Sequence, residues 1–257
     1  HFIIEAMRRA YFDRSYYLGD SDFVTIPEHL STKAYAQNLA ATINADRASD
    51  NKLLIDELAK GEDTTHFSII DQYGNRVAAT LSINYPFGSG FVPPGTGVLL
   101  NNEMDDFSAR IGSANVYGLV GNEANSIAAN KRPLSSMSPT FIENDQHLMI
   151  IGTPGGSRII TVVLLGILDF IDQQSAKDIV SSPRFHHQYL PNKVQIESSG
   201  FSKKERQAIL AYGHDIQELT RQYGNMQIII YDKMTGELQA ASDPRGEGQA
   251  RVESLSH

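Results

Sequence analysis

The stretch Gly61-Glu62-Asp63-Thr64-Thr65-His66-Phe67-Ser68 holds the most reactive arrangement this chain offers. A threonine hydroxyl is a poor nucleophile at neutral pH and needs a base beside it. Cutting the Asp63–Thr64 peptide bond would free an α-amine on Thr64, with an ordinary pKa of about 7.7–8.0, and so place that base on the same residue. A Thr-Thr pair ahead of a strand is common in β-rich proteins and does not decide the matter alone. Further along, Gly155-Gly156 stands between two apolar segments. Successive glycines let a backbone approach a ligand and aim N–H groups at developing negative charge, worth about 3–4 kcal/mol per donor in acyl transfer. The same pair also reads as a tight strand-to-helix turn. Glu103, Asp105 and Asp106 form an acidic cluster that could hold an ammonium group, ligate a metal, act as acid and base, or simply be a solvated turn. Ser135-Ser136 could bind a carboxylate, or serve only as turn residues in a loop.

Other chemistries are excluded. The chain has no cysteine, which removes thiol catalysis, disulfides and thiolate metal sites. His186-His187 are adjacent, so in an extended segment they face opposite sides, and packing with hydrogen bonding suits them better than metal ligation. No metal and no cofactor is expected. G-x-S-x-G and G-x-G-x-x-G are both absent, which argues against an α/β-hydrolase serine and a dinucleotide site. The formal charge of −8 leaves no basic patch for nucleic acid, and Lys131-Arg132 reads as a local loop contact. The longest apolar run, Ile159 to Leu168, is too short for a membrane span and reads as a buried core element.

These groups need elements to position them. Residues 2–18 repeat apolar side chains at three and four, which predicts a helix, and Pro27-Glu28 opens a second one through about Ala45. Asp46 to Asp63 is polar and charged, the best linker candidate. From Thr64 the period changes to two; Gly74-Asn75 makes a turn and Arg76 to Asn84 alternates again, a hairpin. A Gly/Pro-rich loop runs from Tyr85 to Gly97 and meets a short apolar strand, Val98-Leu99-Leu100. A second hairpin pairs Thr140–Glu143 with Leu148–Ile151. The apolar segment 158–172 suits a helix by its length, 175–180 and 202–212 read as short helices, and 194–197, 215–219, 226–231 and 238–241 read as closing strands. At 257 residues, 41% hydrophobic and 20% charged, the chain has room for an ample core, and its blocks of strands and helices predict an α+β layered sandwich.

The strings TTHFSIID, QYGNRVAAT, NYPFGSG, GVLLNNEMDDFS, NKRPLSSMSPT, GTPGGSRII and SPRFHHQYLP, in that order, resemble the γ-glutamyltransferase (γ-glutamyltranspeptidase) family. The resemblance runs from YFDRSYYLGD to ASDPRG. It implies an N-terminal-nucleophile hydrolase with an αββα sandwich, made as a precursor that cuts itself before a threonine into a large and a small subunit. Residues 1–63 then correspond to the tail of the large subunit, and 64–257 to the small subunit, with Asp63–Thr64 the bond that is cut. By motif Thr64 is the nucleophile, and Ser82 stands where the family often has a threonine bonded to it. Asn84, Glu103 and Asp106 match residues gripping the substrate α-amino group, Ser135 and Ser136 those on its α-carboxylate, and Gly155 with Gly156 the oxyanion hole. The implied donor is glutathione or another γ-glutamyl compound, and the acceptor is water or an amino acid. A family arginine that also clamps the α-carboxylate lies far upstream and is not matched by Arg110 or Arg132, so the sandwich is expected to be incomplete, the remaining large-subunit region a missing partner, and these 257 residues by themselves inactive. A related acylase, a poly-γ-glutamate capsule enzyme and a non-catalytic fragment are the alternatives. Resemblance to bacterial members points to the periplasm or secretion.

Overall fold

The computed structural model describes residues 1–50, 64–108, 110, 112, 115, 118–198 and 200–253. Of the expected linker, residues 51–63, and with them Asp63, lie outside the described residues. In chain order the first elements are α1 (Phe2–Tyr17), α2 (Lys33–Ala41), β1 (Thr64–Ile70), β2 (Arg76–Ser82), β3 (Thr140–Glu143), β4 (His147–Gly152) and α3 (Ile159–Ile171). They are followed by α4 (Ala176–Ser181), β5 (Phe185–His186), β6 (Val194–Glu197), α5 (Lys203–Ala211), β7 (Ile216–Leu219), β8 (Gln227–Asp232) and β9 (Leu238–Ser242). They fall into two compact units, one made of His1–Gly61, Asn102–Ser135 and Phe185–Thr220, the other of Glu62–Asn101, Ser136–Arg184 and Arg221–His257.

In the first unit β6 pairs antiparallel with β5 and parallel with β7, and α5 makes the crossover between the two parallel strands. Ser202 starts α5 with a capping box: its hydroxyl accepts from the Glu205 N–H while the Glu205 carboxylate accepts from the Ser202 N–H. The core gathers Ile4, Val194 and Ile196, with Phe185, Phe201, Ile209 and Ile216 packed against it. Helix α1 turns Ile4, Met7 and Tyr11 inward at the expected spacing. Glu5 is buried beside them. Burial alone would raise its pKa, but hydrogen bonds from Ser49 and Arg9 and the charge of Arg8 outweigh that and hold it at about 2.

The second expected helix is divided. A 3-10 turn covers Glu28–Ser31, and α2 begins only after Thr32, whose backbone is extended (φ −87°, ψ 146°) and whose Oγ1 accepts from the Tyr35 N–H at 3.3 Å. Threonine is a better cap than a helix interior residue, so the chain restarts there.

In the second unit β3-β4-β8-β9 form an antiparallel sheet and β1-β2 a separate hairpin. Strand β4 is the divider. A Cβ on Gly166 of α3 would lie 2.5 Å from the Ile151 side chain, whereas Gly152 backs onto His66 of β1. Side chains alternate faces along a strand, so α3 covers one face of β4 and the hairpin the other. Helix α4 packs on β8 and β9, and β1 also packs on β8. The described residues therefore show helix, sheet and sheet layers of an α+β sandwich. The outward face of the hairpin exposes Phe67, Ile69, Val77 and Leu81.

The expected strand at Val98-Leu99-Leu100 is a loop. Leu100 is tied to the preceding loop, its C=O accepting the Ser89 N–H and its N–H donating to Phe91 O, while Val98 and Leu100 stay exposed. Three apolar residues, two of them exposed and with no sheet to pair with among the described residues, gain little from extending into a strand. Strand β5, only two residues long, is too short for any periodic signal.

Candidate active site

Thr64 opens β1 and lies opposite Ser82, the last residue of β2. Its Oγ1 donates to Ser82 Oγ at 3.0 Å, and Ser82 Oγ also accepts the Asn84 N–H at 2.8 Å. Asn84 is buried and left-handed (φ 71°), a conformation asparagine tolerates better than most residues, so the chain folds back right after β2. The nucleophile candidate, its hydroxyl neighbour and one predicted substrate contact thus form one connected cluster.

His66, two residues on, shares the inward face. Its Nδ1 is 2.7 Å from Thr80 Oγ1 and its Nε2 3.1 Å from Ser68 Oγ. Burial pushes its pKa down to about 4, so the ring is neutral at pH 7. With both nitrogens engaged along the hairpin, His66 is a filler of the inner face rather than a base. The ring fits only because residue 152 has no side chain: a Cβ there would stand 2.1–2.6 Å from three ring atoms.

From Gly152 the chain turns through Thr153 and Pro154 to Gly155 and Gly156. Thr153 is fully buried, donates its hydroxyl proton to Pro154 O at 2.7 Å and accepts the Asn225 N–H at 3.1 Å. Gly155 (φ 142°) and Gly156 (φ 57°) follow with backbone angles that side chains resist. Among the described residues neither of their N–H groups donates a hydrogen bond, and the chain passes through a 3-10 turn, Gly156–Arg158, into α3. Two free donors at a helix start are suited to an oxyanion.

In the other unit, Glu103–Asp106 is a 3-10 turn. Burial pushes the Asp106 pKa up to about 7, helped by the negative charge of Glu103 and, less, Asp105, and opposed by Arg14 of α1. A carboxylate pair that holds a proton near neutrality is one that a bound ammonium group would return to full charge. Arg132 is paired with other carboxylates. Its backbone N–H, Nε and Nη2 all bond the buried Asp20 carboxylate, at 2.8, 2.9 and 2.5 Å, and Nη2 reaches Asp22 at 2.6 Å. The basic pair is thus a loop contact, but to a segment far away in sequence. It anchors the stretch that leads to Ser135, which is exposed; Ser136, half-buried, begins the next segment of the sheet unit.

His186 and His187 are buried and bonded, to Gln188 Oε1 at 2.8 Å and Asn192 Oδ1 at 3.3 Å. No group of three His, Cys, Asp or Glu suited to a metal ion occurs among the described residues. Sequence reasoning did not single out His66 with Gly152, Asp20, or Asn125, whose side chain ties the Asp106 turn to Leu134. Each acts through a neighbour distant in sequence, and no local pattern marks such a partner.

Solved structures share this architecture. The Helicobacter pylori γ-glutamyltranspeptidase, in a threonine-to-alanine mutant, is 44% identical with a TM-score of 0.68, covering 71% of this chain and 100% of that chain. The Pseudomonas nitroreducens γ-glutamyltranspeptidase complexed with L-DON is 40% identical with a TM-score of 0.69, covering 74% of this chain and 100% of that one. The fold is that of the N-terminal-nucleophile hydrolases. The glutathione hydrolase proenzyme of Escherichia coli (strain K12) is 46% identical over 247 residues, 94% of this chain and 42% of its own length. With the gamma-glutamyltranspeptidase family model matching residues 1–253, the chain belongs to the γ-glutamyltranspeptidase family. It spans roughly two fifths of the curated relatives it matches, at 42%, 38% and 46% of their lengths.

Proposed function

We propose that the protein cleaves γ-glutamyl compounds such as glutathione through a γ-glutamyl ester on Thr64 and passes the group to water or to an amino acid. The observation that carries this reading is the 3.0 Å hydrogen bond from Thr64 Oγ1 to Ser82 Oγ at the head of β1, in a chain of this family. Maturation comes first. Thr64 Oγ attacks the carbonyl carbon of Asp63, the peptide C–N bond breaks as an ester forms, and water hydrolyses that ester. The products are a chain ending at Asp63 and a Thr64 with a free α-amine.

In turnover that amine takes the proton of Thr64 Oγ as the oxygen attacks the γ-carbonyl carbon of the donor. The oxyanion is held by the N–H groups of Gly155 and Gly156. Collapse expels the donor's amine, which leaves with the proton from the Thr64 ammonium. Water or an acceptor amine then attacks the ester, giving up its proton to the Thr64 amine, which passes it to Thr64 Oγ as the ester C–O bond breaks and the hydroxyl and free amine are restored. Asn84, Glu103 and Asp106 grip the donor α-ammonium, and Ser135 and Ser136 its α-carboxylate. The family arginine that shares this carboxylate has no match in the 257 residues, so turnover belongs to the full-length protein and residues 1–257 alone are expected to be nearly inactive.

The test is Thr64→Ala in the full-length protein, with a γ-glutamyl anilide as donor and intact mass to follow cleavage. The reading expects no cleavage before residue 64 and no anilide release. Release at the parent rate from that variant would sink it.

A further inference from the structure

Two predicted gripping elements in the first unit, the Glu103–Asp106 turn and the segment ending at Ser135, are joined by the side chain of Asn125. Asn125 is 6% exposed. Its Nδ2 donates to the Asp106 C=O at 2.7 Å, and its Oδ1 accepts the Leu134 N–H at 3.0 Å. A backbone carbonyl can only accept and a backbone N–H can only donate, so these partners leave one orientation for the amide. The Asn125 backbone is itself held: its C=O accepts the Ser108 N–H at 2.8 Å and its N–H donates to Asn122 O at 3.2 Å. A 3-10 turn, Glu123–Asn125, is capped by Asn122, and Lys131 Nζ ties back to Ala124 O at 2.8 Å. The amide is thus a rigid strut, with one end on the residue proposed to hold the ammonium group and the other one residue short of Ser135.

We propose that Asn125 is a positioning residue for the α-amino-acid head group of the donor, fixing the spacing between Asp106 and Ser135. This rests on the γ-glutamyl reading above. An ammonium and a carboxylate on one carbon present two charges at a fixed separation, so two grips help each other only when their spacing is held. Asn125 touches no substrate. It acts by keeping Asp106 in register with Ser135, and a donor lacking the α-amine gains nothing from that register.

The experiment compares a γ-glutamyl anilide with a glutaryl anilide, which lacks the α-amine, in the full-length protein and in Asn125→Asp and Asn125→Ala. Asn125→Asp keeps the acceptor for Leu134 and sets an oxygen against the Asp106 carbonyl; Asn125→Ala removes both bonds. The expected result is a loss of about tenfold in kcat/KM for the γ-glutamyl donor, mostly through KM, with less than about a twofold change for the glutaryl donor. Cleavage before Thr64, which involves no head group, should proceed at the parent rate and reports an intact fold. Equal losses on both donors, an unchanged preference, or failed maturation in both variants would overturn the positioning role. If the unsubstituted protein itself fails to prefer the γ-glutamyl donor, the γ-glutamyl reading falls, and the inference with it.

Discussion

Thr64 and Ser82 face each other across the open end of the β1–β2 hairpin, with the threonine hydroxyl donating to the serine oxygen at 3.0 Å. That oxygen also receives the Asn84 N–H, so it is pinned from two sides. A pinned acceptor orients the attacking oxygen and can carry its proton during maturation. Ser82→Ala is expected to slow cleavage before Thr64 by about tenfold or more, while Ser82→Thr keeps the hydroxyl and the rate. Time-resolved intact mass of the full-length protein checks both.

The acid limb of donor binding should report Asp106. Burial and Glu103 raise its pKa to about 7 despite Arg14. Only the ionised form attracts an ammonium group, so KM for the γ-glutamyl donor is expected to rise as pH falls through about 7. Asp106→Asn should raise KM at pH 8 and flatten this dependence. The stability sign is opposite. A carboxyl whose folded pKa lies above its unfolded value of 3.8 favours folding most at low pH, and that contribution is lost as pH rises toward 7. Asp106→Asn is therefore expected to raise Tm at pH 8 while it harms binding.

Gly152 and His66 cannot both carry side chains in this arrangement. Gly152→Ala should cost about 1–3 kcal/mol, since the ring it strikes is enclosed by the hairpin. Combining it with His66→Ala removes the clash, so the double variant should be less destabilised than the sum of the single ones. Denaturant titration of all three variants measures this coupling. The ring also predicts a pH trend. His66 has a folded pKa near 4, below its unfolded value of 6.5, so stability is full above pH 6.5 and falls as pH drops toward 4. His66→Gln should weaken that trend.

Arg184 and Asp243 form an ion pair with both side chains almost fully buried, at 2.5 Å. Arg184 also donates to Tyr223 O and Val180 O, and Asp243 accepts the Met226 N–H at the start of β8. Asp243→Ala would leave a guanidinium charge buried without its partner. A loss of about 3–5 kcal/mol is expected, read as a lowered denaturation midpoint.

The sequence by itself determined the elements that repeat locally. The apolar period of three and four in α1, the change to period two at Thr64, and the short helices α4 and α5 depend on near neighbours, and the structure has them within a few residues of where the pattern puts them. The order of motifs likewise pointed to the family without any contact being known. Tertiary structure decided the rest. Val98-Leu99-Leu100 is apolar enough for a strand, yet no sheet edge among the described residues receives it, and Thr32 divides a helix that composition alone would continue. Asp20 with Arg132, Asn125 with Leu134 and Asp106, and Gly152 with His66 are partners brought together by folding. Back at Asp63-Thr64, the residues state what the hydroxyl could do once a base is freed. Only the fold sets Ser82 beside it, because hydrogen bonds across a hairpin depend on register rather than on residue type.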